Sequence, residues 1–322
     1  MAETGLTPLR IVFMGTPEFA AVPLSALAAW DQAEIVGVYT QPDRPCGRGR
    51  VCRPCAVKEK AQELGIPVFQ PQDFKSEASR EELHSLKPDV LVVAAYGLIL
   101  PQAVLDIAPM GAVNIHASLL PKYRGAAPIQ RALLHGEPVT GITIMQMEAG
   151  LDSGPILLQR ALGVGVNDTA ADLHDELADL GSRLVIEALA KLRQGRIVPV
   201  EQDPGLATYA PKLVKTEGVV DWNRPAQEVH NQLRALYPWP GSYFIWHPPD
   251  GGKPIRLTVF PGAIGREKKD TEIPGQFLGI EDGHLALACA DKIYLVPRIQ
   301  PAGRKALDPK GFFCGYLSRC AE

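Results

Sequence analysis

Residues 89–96 read DVLVVAAY, and no other stretch constrains the fold of this chain as strongly. The run is apolar at consecutive positions, so a strand made of it buries both faces. Short strands of that kind belong to parallel sheets covered by helices on each side. Two runs rich in β-branched residues precede it, RIVFM (10–14) and EIVGVYT (34–40), and AVNIH (112–116) follows. Helical stretches alternate with them at 18–29, 56–64 and 77–86. This alternation predicts an α/β fold, a doubly wound Rossmann-like N-terminal domain whose ligands sit beyond the carboxyl ends of the strands.

The pattern continues with a helix over 127–136 that ends at Gly136, a residue suited to closing a helix. GITIMQM (141–147) and GPILLQRAL (154–162) read as an antiparallel pair joined by EAGLDSG. A long helix follows from Thr169, capped by Asp168, to about Arg193, with Leu173, Leu177, Leu180, Leu184 and Val185 on its apolar face. Residues 196–211 lose periodicity and read as a linker. A short helix from about Pro225 then leads to brief strand signals at 254–260, 274–280, 284–289 and 292–299, separated by Gly/Pro turns. These predict a smaller C-terminal β-barrel of OB type. The expected division is 1–195 for the catalytic domain, 196–211 for the linker and 212–322 for the barrel.

With 46% hydrophobic and 21% charged residues in 322, the chain can build a sizeable core. No apolar run approaches the ~18 residues that would span a bilayer. The N-terminus lacks a basic segment followed by an apolar one, so a cytoplasmic protein without membrane attachment is expected, and a monomer. Six cysteines are too few for a disulfide framework at this length. Cys52 and Cys55 have CxxC spacing with Cys46 nearby, but no second pair follows, so no metal is expected. Cys314 and Cys320 carry no readable role. FMGTPEFA (13–20) sits where a dinucleotide fingerprint would, yet it holds one glycine.

The net charge of −3 argues against nucleic acid, but it hides a local feature. Residues 41–60 carry six basic side chains, Arg44, Arg48, Arg50, Arg53, Lys58 and Lys60, against Asp43 and Glu59. Charge alone leaves two readings open, a solvated surface loop or a contact for a phosphate-bearing partner.

Three residues could carry chemistry. Asn114 and His116 are two apart in a strand and so share a face. Asp152 falls in the turn between the next two strands and could reach the same rim. An Asn amide can donate to an oxyanion, and an imidazole beside a carboxylate can donate or shuttle a proton. The set suits attack of an amine on a carbonyl. No Ser or Cys sits where a nucleophile elbow would place one, which favours direct transfer. Spacing alone favours structural hydrogen bonding over catalysis for these side chains.

The segment NIHASLLPKYRGAAPIQRALLHGE, with TIMQMEAGLDSGPIL, resembles the signature of the folate-dependent formyltransferase family. FMGTPEFA, QPDRPCGRGR, AAYGLILP, YPWPGSYF and QPAGRKAL extend the resemblance across nearly the whole chain, to the branch that acts on initiator tRNA charged with methionine. The resemblance implies Asn114, His116 and Asp152 as catalytic residues and 10-formyltetrahydrofolate as formyl donor. It implies folate contacts from Ser118, Leu119, Leu120 and Pro121 and from Tyr96, Gly97 and Leu98. It also assigns Arg44, Arg48 and Arg50 to the acceptor end of the initiator methionyl-tRNA, and the barrel to its stem. A formyltransferase acting on a small-molecule amine, a ribonucleotide or an amino sugar, would share the three residues without needing the basic loop.

Overall fold

The structure, a computed structural model, describes residues 7–46, 51–249 and 251–318. The chain opens with β1 (Leu9–Gly15), α1 (Glu18–Ala28), β2 (Ala33–Tyr39), β3 (Arg44–Cys46), β4 (Val51–Arg53), α2 (Ala56–Glu63), β5 (Val68–Phe69) and α3 (Glu77–Ser85). Next come β6 (Val90–Ala94), α4 (Gln102–Leu105), β7 (Ala112–His116), β8 (Arg124–Gly125), α5 (Pro128–Leu134), β9 (Val139–Gln146), β10 (Ile156–Gly163), α6 (Ala170–Arg193) and β11 (Tyr209–Ala210). The remainder is α7 (Ala226–Ala235), β12 (Ser242–Trp246), β13 (Ile255–Val259), β14 (Ala263–Glu267), β15 (Phe277–Glu281), β16 (His284–Ala288), β17 (Lys292–Val296), β18 (Ile299–Pro301) and α8 (Pro309–Phe312). No helix among the described residues is long and apolar enough to cross a membrane.

The chain divides into two compact units. The first holds the described residues up to Pro128, with Val139–Gly163 and His174–Ala210; the second holds Ile129–Pro138, Val164–Leu173 and the described residues from Pro211 onwards.

The first unit is built on a seven-stranded sheet in the order β10-β9-β7-β6-β1-β2-β5. β5, β2, β1, β6 and β7 run parallel, whereas β9 lies antiparallel to β7 and β10 antiparallel to β9. This is the doubly wound sheet that the sequence predicts. β6 is buried along its whole length, as its apolar run requires. Chain order reverses at β1, between β2 and β6, which opens a crevice beyond the carboxyl ends of the strands. β7 ends beside that crevice with His116.

One detail of α6 differs from expectation. Asp168 does not cap it: its Oδ2 takes the Gly165 N–H in the preceding turn. Thr169 and Asp172 form the reciprocal cap instead, with Asp172 N–H donating to Thr169 Oγ1 at 3.3 Å and Thr169 N–H to Asp172 Oδ2 at 2.9 Å. The four-residue spacing of a capping box outweighs the one-residue argument from an acidic side chain before the helix.

The second unit contains a three-stranded sheet, β12-β13-β18, and a four-stranded sheet, β14-β17-β16-β15, both antiparallel and consistent with a small barrel. Their inner faces share one core with α7 and α8, in which Trp222, Phe244, Leu257, Tyr294, Val296 and Phe312 are buried. Burying each Val, Leu or Phe there contributes about 1.5–3 kcal/mol. The partly exposed Arg131–Glu217 pair holds the Glu217 carboxyl below its usual range, but a pair of that kind is worth about 0.2–1 kcal/mol. Apolar burial therefore dominates the stability of this unit.

His230 of α7 is a titratable side chain buried beside this core. Its Nε2–H donates to Val166 O at 2.8 Å, and its Nδ1 accepts from the Tyr294 hydroxyl at 3.0 Å, which itself accepts the Gly262 N–H. Burial first, and Arg234 to a lesser degree, push the imidazole pKa down. Because the folded value lies below the ordinary one, the unfolded chain takes up the proton first as pH falls below about 6.5. Stability is then lost progressively until the lowered folded value is reached. Thermal melts between pH 7.5 and 5 should show Tm falling for the native protein, and a flatter profile for His230→Gln.

Candidate active site

β7 brings Asn114 and His116 to one face at its carboxyl end, both buried, with 8% and 6% of their surface exposed. The His116 ring is fixed at Nε2, which donates to Tyr123 O at 2.9 Å. A carbonyl partner can only accept, so that nitrogen carries the proton and Nδ1 is the one left for chemistry. Asp152 Oδ2 stands 3.7 Å from Nδ1. Of the three residues named from the sequence, Asp152 and His116 thus face each other, and Asn114 shares the strand face of His116.

Asp152 sits in the turn between β9 and β10 with φ at +47°, in the left-handed region. Its Oδ2 accepts the Gly125 N–H at 2.8 Å. Gly125 can hold that position because φ is +119°, and a Cβ there would come within 2.8 Å of Ala210 O. Among the described residues, none hydrogen-bonds the Asn114 amide or Asp152 Oδ1. Two donor hydrogens and one carboxylate oxygen are therefore open beside the imidazole.

The loop after β7 is held from β9. Thr143 Oγ1 donates to Ser118 O at 2.6 Å, and accepts the Leu120 N–H at 3.0 Å and a Gln159 N–H at 2.9 Å. Ser118 Oγ closes the loop on Lys122 O at 2.6 Å. The Ser118 and Leu120 side chains are consequently turned into protein, while Leu119 and Pro121 are half-buried. Tyr96 is likewise buried, packed among Met14, Tyr39 and Phe74, and burial pushes its phenol pKa up. The chain around it faces outward. Ala95 and Gly97 both have positive φ, and Ile99 is 92% exposed. Leu98 is half-buried, and Gly97 O accepts from Gln41 Nε2 at 2.7 Å.

Of the basic segment, β3 pairs antiparallel with β4, Arg44 opposite Arg53. The Arg44 side chain and all of Arg48 and Arg50 lie outside the described residues, as do the side chains of Cys46 and Cys52. Among the described residues, no three His, Cys, Asp or Glu side chains are grouped to share a metal ion.

Sequence reasoning missed a second group of residues, which lies in the aperiodic stretch 196–211. β11 pairs in parallel with β8, Tyr209 opposite Arg124 and Ala210 opposite Gly125. Thr208 accepts the Tyr123 N–H on its hydroxyl at 2.9 Å and the Arg124 N–H on its carbonyl at 2.9 Å. Gln202 is buried against the Asp152 turn. A two-residue strand leaves no periodicity to find.

The comparisons with known proteins agree with this geometry. The formyl transferase model matches residues 9–189, and the model of the formyl transferase C-terminal domain matches residues 212–317. A methionyl-tRNA formyltransferase of Nitratidesulfovibrio vulgaris is 58% identical over 320 residues, covering 99% of this chain and 96% of that one. A methionyl-tRNA formyltransferase of Pseudomonas putida is 47% identical over 305 residues, covering 95% of each chain. Among solved structures, HypX from Aquifex aeolicus in complex with tetrahydrofolic acid has a TM-score of 0.61 at 17% identity, over 97% of this chain and 48% of that one. That last likeness is one of fold. A doubly wound sheet ending in Asn114 and His116, matched along nearly its whole length to proteins of one kind, leaves a single assignment: the chain belongs to the formyl transferase family.

Proposed function

We propose that the chain transfers the formyl group of 10-formyltetrahydrofolate to the α-amino group of methionine on initiator tRNA, with Asn114, His116 and Asp152 carrying the chemistry. The observation that supports it most is the Asn114 amide, buried at the end of β7 with no partner among the described residues, beside a paired imidazole and carboxylate. Relatives at 58% and 47% identity bear the name of that activity.

The folate donor is placed at the crevice beyond the carboxyl ends of the strands. Residues 95–99 present backbone and the exposed Ile99, and the Asn114 amide offers unclaimed hydrogens. When bound, the folate supplies a formyl carbon on nitrogen and, in that nitrogen, a leaving group. Asn114 donates an N–H to the formyl oxygen as negative charge builds there. His116 presents Nδ1 to the reacting centre, while Tyr123 O, accepting from Nε2, keeps the ring from rotating. Asp152 faces that Nδ1 through Oδ2, and its open Oδ1 takes the proton from the attacking amine and passes it to the folate nitrogen as the bond between that nitrogen and the formyl carbon breaks.

The test is formyl transfer from 10-formyltetrahydrofolate to charged initiator tRNA, with charged elongator tRNA in parallel. Transfer to the initiator alone is the expected result. Transfer to neither, with folate still bound, would move the acceptor to a small-molecule amine.

A further inference from the structure

We propose that Gln202 is a positioning residue for the reaction, acting through Asp152. This rests on the reading of Asp152 given above. The Gln202 side chain is buried, and every polar atom of it is used. Its Nε2 donates to two carbonyls of one turn, Asp152 O at 2.9 Å and Gly154 O at 2.7 Å. Its Oε1 accepts two hydrogen bonds from Arg124, from Nε at 3.0 Å and Nη2 at 2.8 Å.

The turn needs such a hold. Asp152 is a non-glycine residue at φ +47°, a conformation that disfavours an L side chain by roughly 1–2 kcal/mol. Two hydrogen bonds to carbonyls on either side of Ser153 fix the backbone in that state, and so fix where the carboxylate points. The other end of the hold is built from the same short stretch as the rest of the site. Tyr123 O orients His116, Arg124 orients Gln202, and the Gly125 N–H orients the Asp152 carboxylate. Three consecutive residues thereby set the separation of the imidazole and the carboxylate. Among the described residues, Gln202 supplies the one link that reaches the backbone of Asp152 rather than its side chain.

A residue in this role should affect turnover and leave substrate binding alone. Gln202→Glu keeps the acceptor that Arg124 uses and removes both donors to the turn. Gln202→Met keeps the volume and removes all four hydrogen bonds. Both should lower kcat about tenfold or more, because an ångström of misplacement at a reacting group is worth up to about a hundredfold. KM for the folate and for the charged tRNA should stay within about twofold.

The decisive measurement is a cycle of Gln202→Glu, Asp152→Asn and the double variant, with melting curves for each. If Gln202 acts through Asp152, adding Gln202→Glu to Asp152→Asn costs nothing further. Native kcat in both Gln202 variants, or multiplying losses in the double variant, would overturn the proposal. A fully active Asp152→Asn would instead overturn the role of Asp152 itself. Should Gln202→Glu fail to fold, the same cycle run with Gln202→Met returns the same outcomes.

Discussion

Replacing His116 by alanine should lower kcat by about 10²–10⁴-fold, the range general acid–base groups contribute, while affinity for charged tRNA stays within about twofold. Turnover is read with saturating folate, and tRNA affinity by filter binding. The asymmetry follows from where the ring sits. It is buried at the end of β7, tied to Tyr123 O on one side and facing Asp152 on the other, and neither nitrogen offers a surface to a macromolecule. The substitution also has a structural cost. It removes the hydrogen bond to the Tyr123 carbonyl, and an intramolecular hydrogen bond contributes about 0.5–1.5 kcal/mol net. Equal losses of turnover and of tRNA affinity would make His116 a structural residue.

Asn114→Ala should remove about 10²–10³ in kcat, the magnitude seen when one oxyanion donor is deleted. Here the stability signature should be the opposite of that at position 116. The Asn114 amide holds no described residue, so its truncation orphans nothing, and Tm should move by a few degrees at most. A variant with native turnover and a large drop in Tm would show that the amide serves the fold. Asn114→Asp should be at least as inactive as the alanine variant, since it replaces donors with a charge of the sign that builds on the formyl oxygen.

What the sequence revealed and what it concealed divide along physical lines. β6 and β7 were legible because burial on both faces leaves a run of apolar residues, and Asn114 and His116 stand out against such a run. Asp152 was placed near them because a turn between two strands has few places to go. The β8–β11 pair was invisible, being two residues long on each side. Gln202 was invisible too, since a glutamine in an aperiodic stretch looks like any polar surface residue until its partners are seen. The same holds for β14, whose AIGRE lacks the β-branched run that marked its neighbours and whose pairing with β17 is irregular. Residues 196–211 read as a linker for one reason: the order there comes from contacts with residues about eighty positions earlier, not from local repetition.

That separation in sequence has a consequence for how the enzyme comes into being. The parallel strands of the sheet are all present once the chain has been synthesised to His116, and the Asp152 turn once it reaches β10. The segment that fastens them arrives with Gln202, Thr208 and Ala210, at the very end of the first unit. A nascent chain can therefore carry a finished sheet while His116 and Asp152 are still loose. A fragment cut after α6 should do the same, whereas one cut after Ala210 should keep the pair in register.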